Sequence, residues 1–213
     1  FRIPMEEAEP RFHESIEIMK KCWVNNERWS YEGKFWQFND IVVEPPCSQD
    51  PHPPLWLAAG HPDSIKTVAE MGANLLLDQF SPANAVFERV RVFNEAQNDE
   101  HSILAGEKIA LARALYIAKD ERDKMDAIER RMNVRAKVDT LSQRPDGKNT
   151  SSIMIHKGSD EALEGALIGT IDEIVQRIYD LKSGGVEYIL LVDAGGGIDG
   201  LRDFSKYIIP QIQ

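Results

Sequence analysis

The chain has 213 residues, of which 42% are apolar and 28% charged, and a formal net charge of −10. This is the composition of a globular fold with a sizeable core, and the acidic balance argues against nucleic acid or an anionic membrane as the main partner. No apolar run approaches the roughly 20 residues of a membrane-spanning helix, and the opening "FRIPMEEAEPRF" lacks the basic start and apolar core of a signal peptide. The two cysteines, Cys22 and Cys47, have no cysteine or histidine at zinc spacing and read as unpaired thiols of a cytoplasmic protein. No metal site is expected. The first residue is Phe1 rather than Met, which reads as a fragment or a processed chain.

Phe12, Ile16, Met19 and Trp23 recur at helical spacing, with Pro10 tolerable in the first turn, and predict an amphipathic helix. "WSYEGKFWQFNDIVVEPPC" alternates, is aromatic and β-branched, and predicts a hairpin turning at Gly33; its Trp29, Tyr31, Phe35, Trp36 and Phe38 read as core or dimer packing, or as the wall of an apolar pocket. "SQDPHPP" reads as a stiff connector. From "PLWLAAG" onward, buried-type strands at about 55–59, 73–79, 109–118 and 187–193 alternate with helices. One helix is expected to end at Gly72, the next to be capped by Ser81 with Pro82 at its first position, and a charged one to be capped by Asp120. Residues 141–158 show no clear period and read as a long loop and candidate lid. "GTIDEIVQRIYDLKSGG" carries a capping box, Thr170 with Glu173, and stops at Gly184 and Gly185. The pattern predicts an α/β fold with a parallel sheet. It reads as one domain over 1–213: a helix and hairpin at 1–54, then βα units at 55–213. Four core strands are half of the eight in a (β/α)8 barrel.

Two turns could seat a phosphate. In "AAGHPDS" a strand hands over to a helix, where α/β folds place ligands. Gly60 allows close backbone approach, the first-turn N–H groups point outward, and His61 and Ser64 add donors. A plain βα connection is the alternative, and Asp63 would repel a phosphate. In "DAGGGIDG", residues 193–200, three glycines can form an anion-binding nest or simply a flexible connector. The histidines His13, His52, His101 and His156 stand isolated and read as surface or capping residues. There is no P-loop, GxGxxG or nucleophile elbow.

"EGKFWQFNDIVVEPPCSQDPHPPLWLAAGHPDSIKTVAEMGANLLLDQ" resembles the luciferase-like monooxygenases, as does "GTIDEIVQRIYDLKSGGVEYILLVDAGGG" followed by "LRDFSKYIIPQI". The resemblance implies a (β/α)8 TIM barrel of the luciferase-like type, with only its C-terminal half in this chain. It implies reduced FMN, supplied by a separate flavin reductase, and O2 to oxygenate a small organic substrate. Some relatives use a deazaflavin and transfer hydride instead. The family's phosphate-binding turn falls on Gly60, His61 and Ser64, and the neighbouring Ala58 and Ala59 leave room for the ring system, so Ala59, Gly60, His61 and Ser64 are the expected cofactor contacts. The family's first four strands, with an arginine to the phosphate and often a catalytic histidine, have no counterpart here, so the catalytic residues stay unknown. Either a truncated chain or an obligate partner is expected, along with a homodimer or larger assembly. A catalytically silent flavin-binding subunit is a rival reading. An unrelated phosphate-binding barrel enzyme would use Gly195 to Gly197.

Overall fold

The computed structural model describes residues 3–97, 108–143 and 159–212, which separate into two compact units, Phe1–Pro54 and Leu55–Gln213. In the first, a 3-10 turn at Met5–Glu7 leads into α1 (Ala8–Val24), and β1 (Trp29–Glu32) pairs antiparallel with β2 (Gln37–Ile41) as the expected hairpin. The hairpin packs on the polar side of α1. Glu14 accepts the N–H groups of Phe35 and Trp36, each at 3.1 Å. The Arg11 guanidinium lies 4.3 Å from the Phe35 ring centre, and Lys21 Nζ 4.7 Å from that of Tyr31. These are cation–π contacts that bury the alkyl stems as well. The apolar stripe of α1 is buried only at Ile16, while Phe12 and Met19 stay exposed. His52 corrects the expectation of a surface histidine: it is buried, with Nδ1 2.7 Å from Pro53 O and its ring against Trp23.

The second unit holds a five-stranded parallel sheet: β3 (Trp56–Ala58), β4 (Asn74–Leu77), β5 (Ile109–Ile117), β6 (Ala166–Gly169) and β7 (Tyr188–Asp193). Four of these are the strands predicted from the sequence. β6 was not predicted, because "ALIG" is too short to show a period. β7 pairs with Ala110–Leu115 of β5, overlapping the residues paired with β4 (Ile109–Leu111) and with β6 (Ala114–Ile117). A strand has two edges, so β4 and β6 follow one another along the edge opposite β7, leaving a notch between them.

The helices are α2 (Pro62–Glu70), α3 (Ala83–Ala96), α4 (Glu121–Leu141), α5 (Ser159–Glu164) and α6 (Ile171–Ser183), followed by a C-terminal run from Gly197 to Ile212 that widens to a π-helix at Phe204–Ile208. The widening precedes Pro210, whose ring would clash with the carbonyl four residues back in a regular helix. Gly72 ends the turn after α2 with φ +67°, a left-handed conformation that glycine adopts without a Cβ penalty. The Thr170–Glu173 capping box is formed, and Asp120 caps α4 by accepting the Asp123 N–H. Ser81 does not cap α3. Pro82 occupies that position, and the Ser81 hydroxyl is buried against Asp78 and Arg89. The loop expected at 141–158 begins only after α4 ends at Leu141, and residues 144–158 lie outside the described residues.

Residues paired in a parallel ladder share a face. Leu57, Leu75, Leu77, Ile109, Leu111, Leu115, Leu167, Ile189 and Leu191 therefore share one face. It forms the main core with Ile65 and Val68 of α2, Val86, Val90 and Phe93 of α3, and Ile174, Ile178 and Leu181 of α6. The other face carries Trp56, Ala58, Leu76, Ala110, Ala112, Ala114, Tyr116, Tyr188, Leu190 and Val192.

Candidate active site

The second face is concave. Trp56 on β3 and Tyr188 on β7 are separated by two strands, about 14 Å in a flat sheet, yet their rings touch edge to face with centroids 5.7 Å apart. Between them β5 contributes only the methyl groups of Ala110, Ala112 and Ala114, of which Ala110 and Ala114 are buried and Ala112 half-buried. Among the described residues α4 covers this face at its C-terminal end, where Ala127 and Ile128 pack on Ala114, Ala166 and Ile168. Further down, Tyr188, Leu190 and Val192 remain 46%, 49% and 39% exposed. β3 and β7 each have one edge unpaired among the described residues. The sheet is thus an arc of a barrel with its interior open.

The expected cofactor turn stands on the rim of this arc. β3 ends at Ala58, Ala59 and Gly60 follow, and His61 is the N-cap of α2. His61 Nδ1 accepts the Asp63 N–H at 3.4 Å, which leaves the ring proton on Nε2 as an outward donor. Pro62 has no N–H, and Ser64 is exposed in the first turn of the helix. The turn therefore gathers the Nε2–H, the Ser64 hydroxyl and the dipole of a nine-residue helix at one exposed end. Asp63 opposes an anion, with its carboxylate 3.7 Å from His61 Nδ1 and directed to solvent.

The glycine run is different. Asp193 Oδ1 accepts the N–H groups of Gly195 and Gly197 at 3.2 and 2.9 Å, with φ of +113° and +59° at those glycines. The nest holds an anion that the chain itself supplies. Beside it, Tyr116 donates to Asp123 Oδ1 at 2.8 Å, and Arg130 lies over the Tyr116 ring. The hydrogen bond to Asp123, above all, raises the Tyr116 pKa. Sequence reasoning passed over this pair because its two members are joined by a turn and carry no motif.

It also passed over four buried arginines: Arg89, Arg113, Arg131 and Arg135. They surround the notch between β4 and β6, which the loop 78–81 fills. From the helix-packed side, Arg113 donates to Asp78 O at 3.2 Å and Ser81 O at 2.8 Å, and Arg89 donates to Asp78 Oδ2 at 2.7 Å. From the concave side, Arg131 donates to Gln79 O, Gly165 O and Ala162 O. Burial pushes the pKa values of Arg113 and Arg131 down to about 10, still charged at neutral pH. Burial alone would raise the Asp78 pKa, but donors from Phe80, Ser81 and Arg89 outweigh it and hold the carboxyl below its ordinary value. A visible signal was Arg113 itself, a lone charge inside the buried-type strand "KIALARALYIA".

A cavity of about 690 Å³ opens at the opposite end of the sheet, lined by Ile109, Ile178, Val186, Ile189 and Leu191 among others. It lies where β7 has no second neighbour among the described residues, away from the C-terminal strand ends where α/β folds place ligands. Among the described residues no group of three or more His, Cys, Asp or Glu could hold a metal, Cys22 and Cys47 are unpaired, and no helix is long and apolar enough to cross a membrane.

The sequence pattern described as luciferase-like monooxygenase matches residues 1–188. The chain is 24% identical over 232 aligned positions to an FMNH2-dependent dimethylsulfone monooxygenase of Pseudomonas putida, covering 98% of this chain and 59% of that protein. Among solved structures, the monooxygenase RslO1 from Streptomyces bottropensis superposes with a TM-score of 0.74 at 22% identity, covering 99% of this chain and 64% of that one. An F420-dependent secondary alcohol dehydrogenase superposes with a TM-score of 0.71 at 16% identity, covering 94% and 60%. The chain thus spans about 60% of the length of these proteins, and the open arc is the corresponding part of their (β/α) barrel.

Proposed function

We propose that this chain, which belongs to the luciferase-like monooxygenase family, forms the C-terminal part of a flavin-dependent monooxygenase that uses reduced FMN and O2 to oxygenate a small organic substrate. The observation that carries the reading is the outward-facing turn at Ala59, Gly60, His61 and Ser64 on the rim of the open concave face, with the rival glycine nest already filled by Asp193. Gly60 lets a phosphate approach the backbone, and His61 Nε2–H and the Ser64 hydroxyl donate to it. Ala58 and Ala59 leave space beside it. The flavin, when bound, supplies the oxidation chemistry. The chain supplies a phosphate seat and an apolar wall of Trp56, Leu190 and Val192 that excludes water once the barrel is closed. A separate flavin reductase is the proposed source of the reduced cofactor, and a homodimer or larger assembly the proposed state.

The test is titration of the full-length protein with FMN. Ser64→Ala is expected to weaken binding by about 1–2 kcal/mol, a factor of roughly 5–30. An unchanged dissociation constant removes the turn from the site. The likeness to an F420-dependent dehydrogenase supports a second reading, hydride transfer with a deazaflavin, and parallel titration with that cofactor decides between the two. Transfer of 18O from labelled O2 into an organic product in the presence of reduced FMN, above the flavin's own autoxidation, excludes the third, a catalytically silent flavin-binding subunit.

A further inference from the structure

Arg135 stands apart from the other buried arginines. Arg89, Arg113 and Arg131 spend their guanidinium groups on Asp78, Ser81 and the backbone carbonyls of the notch. Arg135 lies one helical turn beyond Arg131 on the same face of α4 and is only 6% exposed, yet neither Nη1 nor Nη2 has a hydrogen-bond partner. Its guanidinium lies 5.6 Å from the centre of the Phe80 ring, which it shares with Arg131 at 5.2 Å. Phe80 follows the C-terminal end of β4, so the group sits on the rim of the concave face. Glu161, Asp78 and Asp139 act on Arg135 through space and favour its charge against the burial that disfavours it, but none bonds its terminal nitrogens. Asp78 is already committed to Phe80 N, Ser81 N, Ser81 Oγ and Arg89. A buried guanidinium with both terminal nitrogens idle leaves four strong donors unsatisfied, the costliest arrangement for such a group. The planar fork it offers matches a carboxylate or a tetrahedral oxyanion in two-point fashion.

We infer that Arg135 is the seat of an oxyanion belonging to the organic substrate, so that the substrate class is small molecules bearing a carboxylate, sulfonate or similar anionic group. The inference rests on the proposed oxygenase reading only for the ownership of the anion; the seat itself rests on the unpaired guanidinium. The cofactor's phosphate is assigned to the turn at 60–64, on a different strand end.

The experiment uses the full-length protein and two probes, inorganic sulfate and benzoate, titrated by calorimetry in chloride-free buffer with and without saturating FMN. The expected result is that at least one probe binds, that FMN does not displace it, and that Arg135→Gln weakens it at least tenfold while leaving the FMN dissociation constant unchanged. Arg135→Lys is expected to restore part of the sulfate binding and less of the benzoate binding, because it keeps the charge and loses the fork. If Arg135→Gln does not fold, selenate diffused into crystals of the unaltered protein is expected to give an anomalous peak within hydrogen-bond distance of Arg135. Failure of both probes to bind, equal binding by the glutamine variant, or selenate elsewhere only, overturns the seat. Displacement of the probe by FMN overturns the assignment to substrate. Loss of FMN binding by Ser64→Ala with intact sulfate binding, or the reverse, separates failure of one reading from failure of the other.

Discussion

The two faces of the parallel sheet are built from neighbouring residues of the same strands and meet opposite fates. On β5, Leu111 and Leu115 are sealed beneath α2, α3, α6 and the C-terminal helical run, while on the other face Ala110 and Ala114 are buried but the flanking Tyr188 and Leu190 are nearly half exposed. Packing chemistry alone does not separate them, since both faces are apolar. The difference is one of supply. Among the described residues α2, α3, α6 and the C-terminal helical run pack on the first face, whereas the second receives only α4. An apolar face left open is costly in water, and this is the face on which the proposed flavin reading places the cofactor.

Substitutions can break or sharpen that contrast. The largest effect is expected at the notch. Arg89→Ala leaves Asp78 buried without its charged partner and should cost about 3–5 kcal/mol, read by urea denaturation. A cost below about 1 kcal/mol would show that the clamp is ornamental. Leu111→Ala empties the sealed face and should cost about 2–5 kcal/mol by the same measurement. Leu190→Ala on the open face should cost less than about 1 kcal/mol in the arc as described. If the two leucines cost the same in the full-length protein, the open face is covered there, which sharpens the reading of the arc as part of a closed barrel. A smaller, pH-dependent effect comes from Asp78. Its folded pKa lies below the unfolded value of about 3.9, so its contribution is present above that pH and is lost as pH falls through the folded value. Asp78→Asn should flatten the acid limb of the stability curve, and an unchanged limb would remove Asp78 from it. The smallest is Thr170→Ala, which deletes half of the capping box and should cost about 1 kcal/mol wherever the barrel closes.

Much of the fold was legible from the order of residues because its signals are local. The four core strands announce themselves as short apolar runs, and Thr170 with Glu173 and Asp120 with Asp123 are caps whose partners sit three residues away. The strand-to-helix turn at 60–64 was legible for the same reason, while its role as a cofactor seat is a proposal. Ser81 misled because a serine before a proline looks like a cap, and only Arg89, eight residues on, shows that its hydroxyl is claimed elsewhere.

What the sequence by itself determined is the class: alternating β and α elements, an acidic chain of barrel type, and the resemblance that the family match upholds. What only the tertiary structure decided is which donors are spent and which are idle. The glycine nest is filled because Asp193 curls onto Gly195 and Gly197, and the notch is sealed because Arg113 and Arg131 reach it from opposite faces. Arg135, identical in the sequence to its neighbours, is left unpaired. Helices and caps are settled within a few residues, but the satisfaction of a buried charge depends on groups that the chain brings together across tens of residues, and no local pattern records the outcome.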